Sequence, residues 1–192
     1  LGGTVIELVN SRCPAFSWSE GYYAMSVMPK SSPSIPIGIL GLLWGLKSNQ
    51  AGAVISTYCE LGLASLGKDG MVRLHDLQWL FCDHKCSDKN SVHERLVRAL
   101  PCLSRPPIGF GRDRSDDGQV VEILVSDLPD EAAPCEEYLL DNAARHVAMA
   151  GSKLGSLQRL LLTDYRWVRR KAGRRALLCL ACDYTFAASV SR

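Results

Sequence analysis

A histidine and a carboxylate stand side by side in the segment Leu74-His75-Asp76-Leu77-Gln78, where a β-hairpin is predicted to run into a helix. An imidazole can donate or accept a hydrogen bond, and a carboxylate is favoured in the first turn of a helix. A histidine at such a junction can point away from the core. We therefore treat His75 as a candidate contact to something outside its own domain, with an ordinary surface or core histidine as the alternative.

The sequence on both sides of this segment predicts the secondary structure that positions His75. Residues 67–70 (GKDG) form a tight-turn sequence with two glycines, flanked by the apolar runs 61–66 and 71–74. Three helical stretches precede this hairpin, and a helix follows it from Asp76. The order from about Trp18 to Cys86 is therefore helix, helix, helix, hairpin, helix, which predicts a winged helix within a mainly α chain.

The second half of the chain predicts a separate helical module. Five of the nine prolines fall between residues 101 and 134, so we interpret 101–133 as a linker or insertion. Beyond it, Pro134 and Gly151 bound one helix, and Ser152 and Asp164 are predicted to cap two more. Short helices joined this tightly pack as antiparallel neighbours, which predicts a solenoid-like module over 134–184 and leaves 185–192 unassigned.

Several segments, taken in order, resemble the NB-ARC signalling ATPases, in particular members similar to apoptotic protease-activating factor. The resemblance covers roughly residues 21–172. In the winged-helix region of that family it rests on 22–29 (YYAMSVMP), 35–36 (IP), 43–45 (LWG), 61–64 (LGLA) and 73–78 (RLHDLQ). In the helical domain that follows, it rests on 138–140 (YLL), 144–151 (ARHVAMAG) and 160–168 (LLLTDYRWV).

The resemblance implies a role for each residue of the His75 segment. In that family the histidine of this motif donates a hydrogen bond to a phosphate of ADP held by the nucleotide-binding domain, and so locks a closed, inactive state. Carried over, His75 is that donor, Asp76 supports the turn and the helix start, and Leu74 packs inward. The structural interpretation of His146 and of Tyr165-Arg166-Trp167 also follows from the family.

The same resemblance implies what lies outside this sequence. Residues 1–16 would end a preceding helical domain, and 17–100 would be the winged helix. ADP or ATP would bind only together with a nucleotide-binding domain, because no phosphate-cradling loop occurs here. We expect a cytoplasmic, non-catalytic piece of a longer protein. Its partners would be its own NB-ARC domain, WD-type repeats and other copies of itself on activation.

The composition and the cysteine positions are compatible with this expectation, but other classes of protein share them. The formal charge of +2 gives no strong field for nucleic acid or membrane, and the longest apolar run, 35–46, is too short for a membrane span. Eight cysteines lie among apolar neighbours, which favours reduced thiols. Two clusters could be read as metal sites: Cys82-x-His84-x-Cys86 with His93, and Cys179-x-x-Cys182. We expect no metal at the first, where ligands would face opposite sides of a helix, and burial of the second pair as small hydrophobic residues.

Two other functions remain as alternatives: a winged-helix regulator that binds DNA, and a helical scaffold for protein interaction. The helix that would enter the major groove, residues 49–61, carries no Lys or Arg, and the wing supplies Lys68 and Arg73 alone. A basic run, residues 166–175, lies in the helical module and is interpreted as a solvated face. No catalytic motif is recognised, so no enzyme activity is predicted for this piece.

Overall fold

A computed structural model describes residues 16–30, 33–100, 133–151, 161–163, 165–174 and 177–190. Over these residues the chain is mainly helical, with a small three-stranded antiparallel sheet. The chain divides into two compact units, Leu1–Lys89 and Asn90–Arg192. The predicted domain limits at 16, 100, 133 and 184 stay predictions.

The first unit contains four α-helices among its described residues, with the strands between them. Helix α1 (Trp18–Tyr23) runs into a 3-10 turn (Ala24–Val27). Strand β1 (Ser34–Pro36) leads directly into α2 (Ile37–Trp44), and α3 (Ser48–Glu60) follows. Strands β2 (Ser65–Leu66) and β3 (Met71–Arg73) form the predicted hairpin, and α4 (Asp76–Lys85) comes next.

The core of this unit is built from the apolar stripes of these elements. On α3, Ala51, Val54 and Ile55 are fully buried and Tyr58 is 2% exposed, as their spacing of three and four residues predicts. The same spacing would continue the stripe to Leu61, but Leu61 is 50% exposed. The reason is local: α3 ends at Glu60, and Gly62 turns the chain with a φ of 69°.

The sheet has one strand more than the sequence predicted. In the hairpin, Leu66 pairs with Val72, and Gly70 takes a φ of 73° in the turn. Strand β1 pairs with the other edge of β3, so that β3 is the central strand of the order β1-β3-β2. The fully buried Ile35 and Val72 face each other in this register. The end of β3, where the His75 segment begins, is therefore held from both sides.

The second unit is helical throughout its described part. Helix α5 (Lys89–Ala99) begins at the boundary between the units, and α6 (Ala133–Met149) ends before Gly151, whose φ is 84°. Helices α7 (Tyr165–Arg174) and α8 (Leu177–Val190) follow, and α8 packs against both α6 and α7. Helix α8 continues past Thr185 into the segment 185–192, which was left unassigned.

Some predictions fall outside the described residues. They concern nearly all of the preceding domain predicted over 1–16 and of the linker predicted over 101–133, the caps Ser152 and Asp164, and the side chains of Tyr165 and Arg166. None of the described helices combines the length and the apolar character needed to cross a bilayer.

Candidate functional site

His75 is the N-cap residue of α4, and its own side chain closes the start of that helix. Its backbone is extended, with φ −69° and ψ 151°. Its Nδ1 accepts a hydrogen bond from the backbone N–H of Leu77 at 3.4 Å, and its backbone N–H donates to Oε1 of Gln78 at 3.1 Å. Two N–H groups that a helix start leaves unpaired are satisfied in this way.

This cap fixes which nitrogen of the ring faces outward as a donor. Because Nδ1 accepts a hydrogen bond, the proton of the neutral ring lies on Nε2. The side chain of His75 is exposed, and no described residue provides a partner for Nε2. The site therefore presents one free N–H donor at the N-terminal end of α4, where the helix dipole favours a negative charge.

The chain on both sides of His75 is anchored, so the donor has a defined position. Leu74 is 5% exposed, in keeping with inward packing, and its N–H donates to the carbonyl of Pro33 at 2.9 Å. One turn into α4, the buried Trp79 donates from Nε1 to the carbonyl of Met28 at 3.0 Å. Gln78 donates from Nε2 to the carbonyl of Gly62. These bonds join the His75 turn to three separate parts of the first unit.

Asp76 lies in the first turn of α4 with its side chain exposed. Its carboxylate lies where the field of the helix start favours a negative charge. The backbone bonds are made by His75 and Gln78 instead.

No protein-family model matches the chain, and no curated protein matches it either.

The cysteine and histidine clusters do not assemble a metal site. In the described part of the chain, no three His, Cys, Asp or Glu side chains come together as a metal ion would require. Cys82 is fully buried beside Tyr22, and burial raises the pKa of its thiol to about 12. His84 on the same helix is exposed. Cys82 is thus a core residue with little thiolate at neutral pH.

The expectation that Cys179 and Cys182 are buried is wrong, because both are exposed. Helix α8 turns Asp183 and Ala187 inward instead. Asp183 accepts a hydrogen bond from Lys171 Nζ at 2.5 Å, and both side chains of this ion pair are nearly inaccessible. Burial raises the pKa of the Asp183 carboxyl, although Lys171 acts against it.

The same ion pair corrects the interpretation of the basic run. Lys171 is 1% exposed and packs inside the second unit, so it is not part of a solvated basic face. Arg169 is exposed. The run is therefore divided between the interior and the surface, which weakens a reading of it as a continuous nucleic-acid contact.

Sequence reasoning missed a buried hydrogen-bonded chain in the second unit. Nδ1 of His93 on α5 lies 2.9 Å from Nδ1 of His146 on α6, and Nε2 of His146 lies 2.9 Å from the hydroxyl of Tyr138. All three residues are buried, and His146 is completely so. Burial lowers the pKa of His146 well below its usual value, and the neighbouring His93 and Arg145 lower it further. Nothing in the spacing of two histidines 53 residues apart signals this contact.

Proposed function

We propose that this chain is a regulatory, non-catalytic part of an NB-ARC-type nucleotide switch, in which His75 contacts a phosphate of ADP bound by a neighbouring domain. The observation that carries the proposal is the free Nε2–H of His75, exposed at the start of α4. A donor that its own unit leaves unused, at the positive end of a helix, suits an anionic ligand. In this proposal ADP or ATP binds only with the nucleotide-binding domain of a longer, cytoplasmic protein.

The fold supports the proposal at the level of element order. Three helices, a hairpin and a helix follow each other over residues 18–85, and β1 adds a third strand. We infer a winged helix from this order. We also infer that the helices after residue 133 belong to a solenoid-like arm, which would transmit the binding of a trigger at WD-type repeats to the His75 contact.

The energy of a single hydrogen bond limits what His75 can do. A hydrogen bond to a charged group contributes about 1.5 to 3 kcal/mol, whereas even millimolar affinity requires about 4.1 kcal/mol. His75 therefore cannot hold a nucleotide alone. A bond that is present in the closed state and absent in the open state would shift the balance between them by about one to two powers of ten.

The DNA-binding alternative receives less support from the described residues. In the hairpin, the guanidinium of Arg73 is paired with the carboxylate of Asp69, and that pairing lowers the pKa of Asp69. Lys68 is then the basic side chain that the turn offers to a phosphate. Specific DNA binding needs several such contacts on one face. A protein-interaction scaffold remains compatible with the exposed apolar side chains of α4 and α8.

A first test uses the 192-residue chain alone. Calorimetric titration with ADP should give a dissociation constant no tighter than about 1 mM, because one hydrogen bond is the whole contact. Micromolar binding would contradict the proposal that the nucleotide-binding domain supplies most of the affinity for ADP. In the same sample, ¹⁵N NMR of the imidazole should find the proton of neutral His75 on Nε2.

A second test uses the intact protein that the proposal requires. His75→Ala should increase the open, oligomerising population in size-exclusion chromatography. His75→Ser retains a capping oxygen but lacks the reach of the imidazole, so it separates loss of the cap from loss of the donor. His84→Ala, at the exposed far end of α4, is the control. An elution profile that His75→Ala and His75→Ser both leave unchanged would count against the proposal.

A further inference from the structure

Two exposed cysteines lie close together along α8. Among the cysteines that the structure describes, Cys179 and Cys182 are the two that are exposed. Residues three apart on a helix are surface neighbours, about 60° apart around its axis, with Cβ atoms about 5–6 Å from each other. The adjacent Leu178 and Ala181 are exposed as well, so small molecules in solution can reach both thiols. We call Cys179 and Cys182 the α8 dithiol.

Another pair of cysteines with helical spacing provides a comparison within the same chain. Cys82 and Cys86 are four residues apart at the end of α4, but Cys82 is fully buried and Cys86 is half-buried. Burial raises the pKa of the Cys82 thiol to about 12, which leaves little thiolate to react. Helical spacing is therefore present at both pairs, whereas access for both thiols is present at the α8 dithiol.

We propose that the α8 dithiol is a modification site that reacts with low-molecular-weight disulfides and closes into a Cys179–Cys182 disulfide. The thiolate of one cysteine attacks the small disulfide, forms a mixed disulfide and releases one small thiol. The thiolate of the other cysteine then attacks the cysteine sulfur of the mixed disulfide and releases the second small thiol. Two electrons pass from the two cysteines to the small disulfide, and the two released thiols carry the two protons.

Helix geometry permits this disulfide after a local adjustment. Cα atoms three residues apart on a helix are separated by about 5 Å, within the range of about 4.4–6.8 Å found in disulfides. The Cβ atoms must approach each other by about 1 to 2 Å to reach the separation found in disulfides. Cys179 lies in the first turn of α8, where the N–H groups have no partner within the helix. This turn can therefore adjust with the loss of few hydrogen bonds.

Buried contacts next to the α8 dithiol keep the adjustment local. Asp183 follows Cys182 directly and accepts a hydrogen bond from Lys171 of α7 at 2.5 Å. Ala187, one turn further along α8, is also buried. These contacts hold the rest of α8 in place, so we expect the disulfide to form in the folded chain. This proposal does not depend on the nucleotide contact of His75.

Equilibration of the 192-residue chain with an excess of oxidised over reduced glutathione, without oxygen, tests the proposal. After free thiols are blocked with N-ethylmaleimide, trypsin should release both cysteines in one peptide, residues 176–192. In mass spectrometry this peptide should be two hydrogen atoms lighter than the dithiol and carry no N-ethylmaleimide. An effective concentration in the millimolar range, with reduced glutathione at about 0.1 mM, predicts at least about ten internal disulfides for each glutathione adduct.

Two variants separate pairing from simple exposure. Cys182→Ser removes the second thiol, so Cys179 should keep its glutathione adduct. Cys182→Ser combined with Ala181→Cys retains two exposed thiols but puts them on opposite sides of α8, so closure should fall by about tenfold or more. All the substituted residues are exposed, and circular dichroism checks that each variant folds.

Three results would overturn the proposal. In the first, the wild-type peptide stays a dithiol throughout the range of glutathione ratios. In the second, it carries glutathione on both cysteines and forms no internal disulfide. In the third, the double variant closes as readily as wild type, because pairing would then not depend on the helical spacing of the α8 dithiol.

Discussion

Lowering the pH should destabilise the second unit through its buried chain of Tyr138, His146 and His93. Both ring nitrogens of His146 are in hydrogen bonds, and the ring has no access to solvent. Burial, His93 and Arg145 all lower its pKa. In the folded state the ring therefore stays neutral below the pH at which an unfolded chain would protonate it.

The sign and size of the effect follow from proton linkage. An unfolded histidine has a pKa of about 6.5, so below that pH the unfolded state binds one proton more than the folded state. Stability is then fully present above pH 6.5 and is lost as the pH falls, by about 1.4 kcal/mol per unit. Between pH 6.5 and pH 5.0 the free energy of unfolding should therefore fall, by no more than this slope allows for the one proton that His146 binds.

Urea denaturation at pH 7.5 and pH 5.0, followed by hydrogen exchange of peptides from α6, measures this loss. His146→Leu removes the titrating group, so the variant should lose the pH-dependent part even if it is less stable at pH 7.5. His84→Leu replaces an exposed histidine and should keep the dependence. If His146→Leu keeps the full slope between pH 6.5 and 5.0, the assignment to this ring is refuted.

Three further predictions concern packing, reactivity and backbone conformation. Lys171→Met should lower the free energy of unfolding by about 3 to 5 kcal/mol, because it leaves the carboxylate of Asp183 buried without its cation. In urea denaturation, the double variant Lys171→Met with Asp183→Leu should recover much of this loss. Cys82 should resist iodoacetamide at pH 8, because burial raises the pKa of its thiol to about 12. Mass spectrometry should find the exposed cysteines of α8 labelled under the same conditions. Rapid labelling of Cys82 in the folded chain would disprove its burial. Gly70→Ala should destabilise the hairpin by about 1 kcal/mol, because the backbone of Gly70 has a φ of 73°. Gly52→Ala should raise the melting temperature, because Gly52 lies on α3 with open space around it. Equal effects of the two changes would contradict this reasoning.

The sequence predicted the elements whose causes are local. The hairpin follows from a glycine that must take positive φ, and the buried stripe of α3 follows from helical spacing. Strand β1 was not predicted, because it has three residues, ends in Pro36 and owes its existence to pairing with β3. Leu61 shows the limit of periodicity: the stripe continues in the sequence after the helix has ended.

Long-range contacts account for the remaining differences. The partners His93 and His146 are 53 residues apart, and neither the cysteine cluster near His93 nor the segment 144–151 predicts their contact. Lys171 was interpreted as part of a solvated face, whereas α7 and α8 bring it into a buried ion pair with Asp183. Cys182, about 100° around α8 from the buried Asp183, lies on a different side of the helix and is exposed. For His75, the sequence predicted the junction between hairpin and helix, while its capping role depends on where its side chain lies relative to the N–H of Leu77.

The rate of ADP release from the intact nucleotide-loaded protein tests the proposed role of His75 most directly. In a chase with unlabelled ADP, fluorescent ADP should dissociate from the His75→Ala variant about 10 to 100 times faster than from wild type. The reason is the loss of a charge-assisted hydrogen bond of about 1.5 to 3 kcal/mol. His75→Gln, whose amide can donate from a similar position, should restore part of the retention. Equal release rates for wild type and His75→Ala would contradict the account.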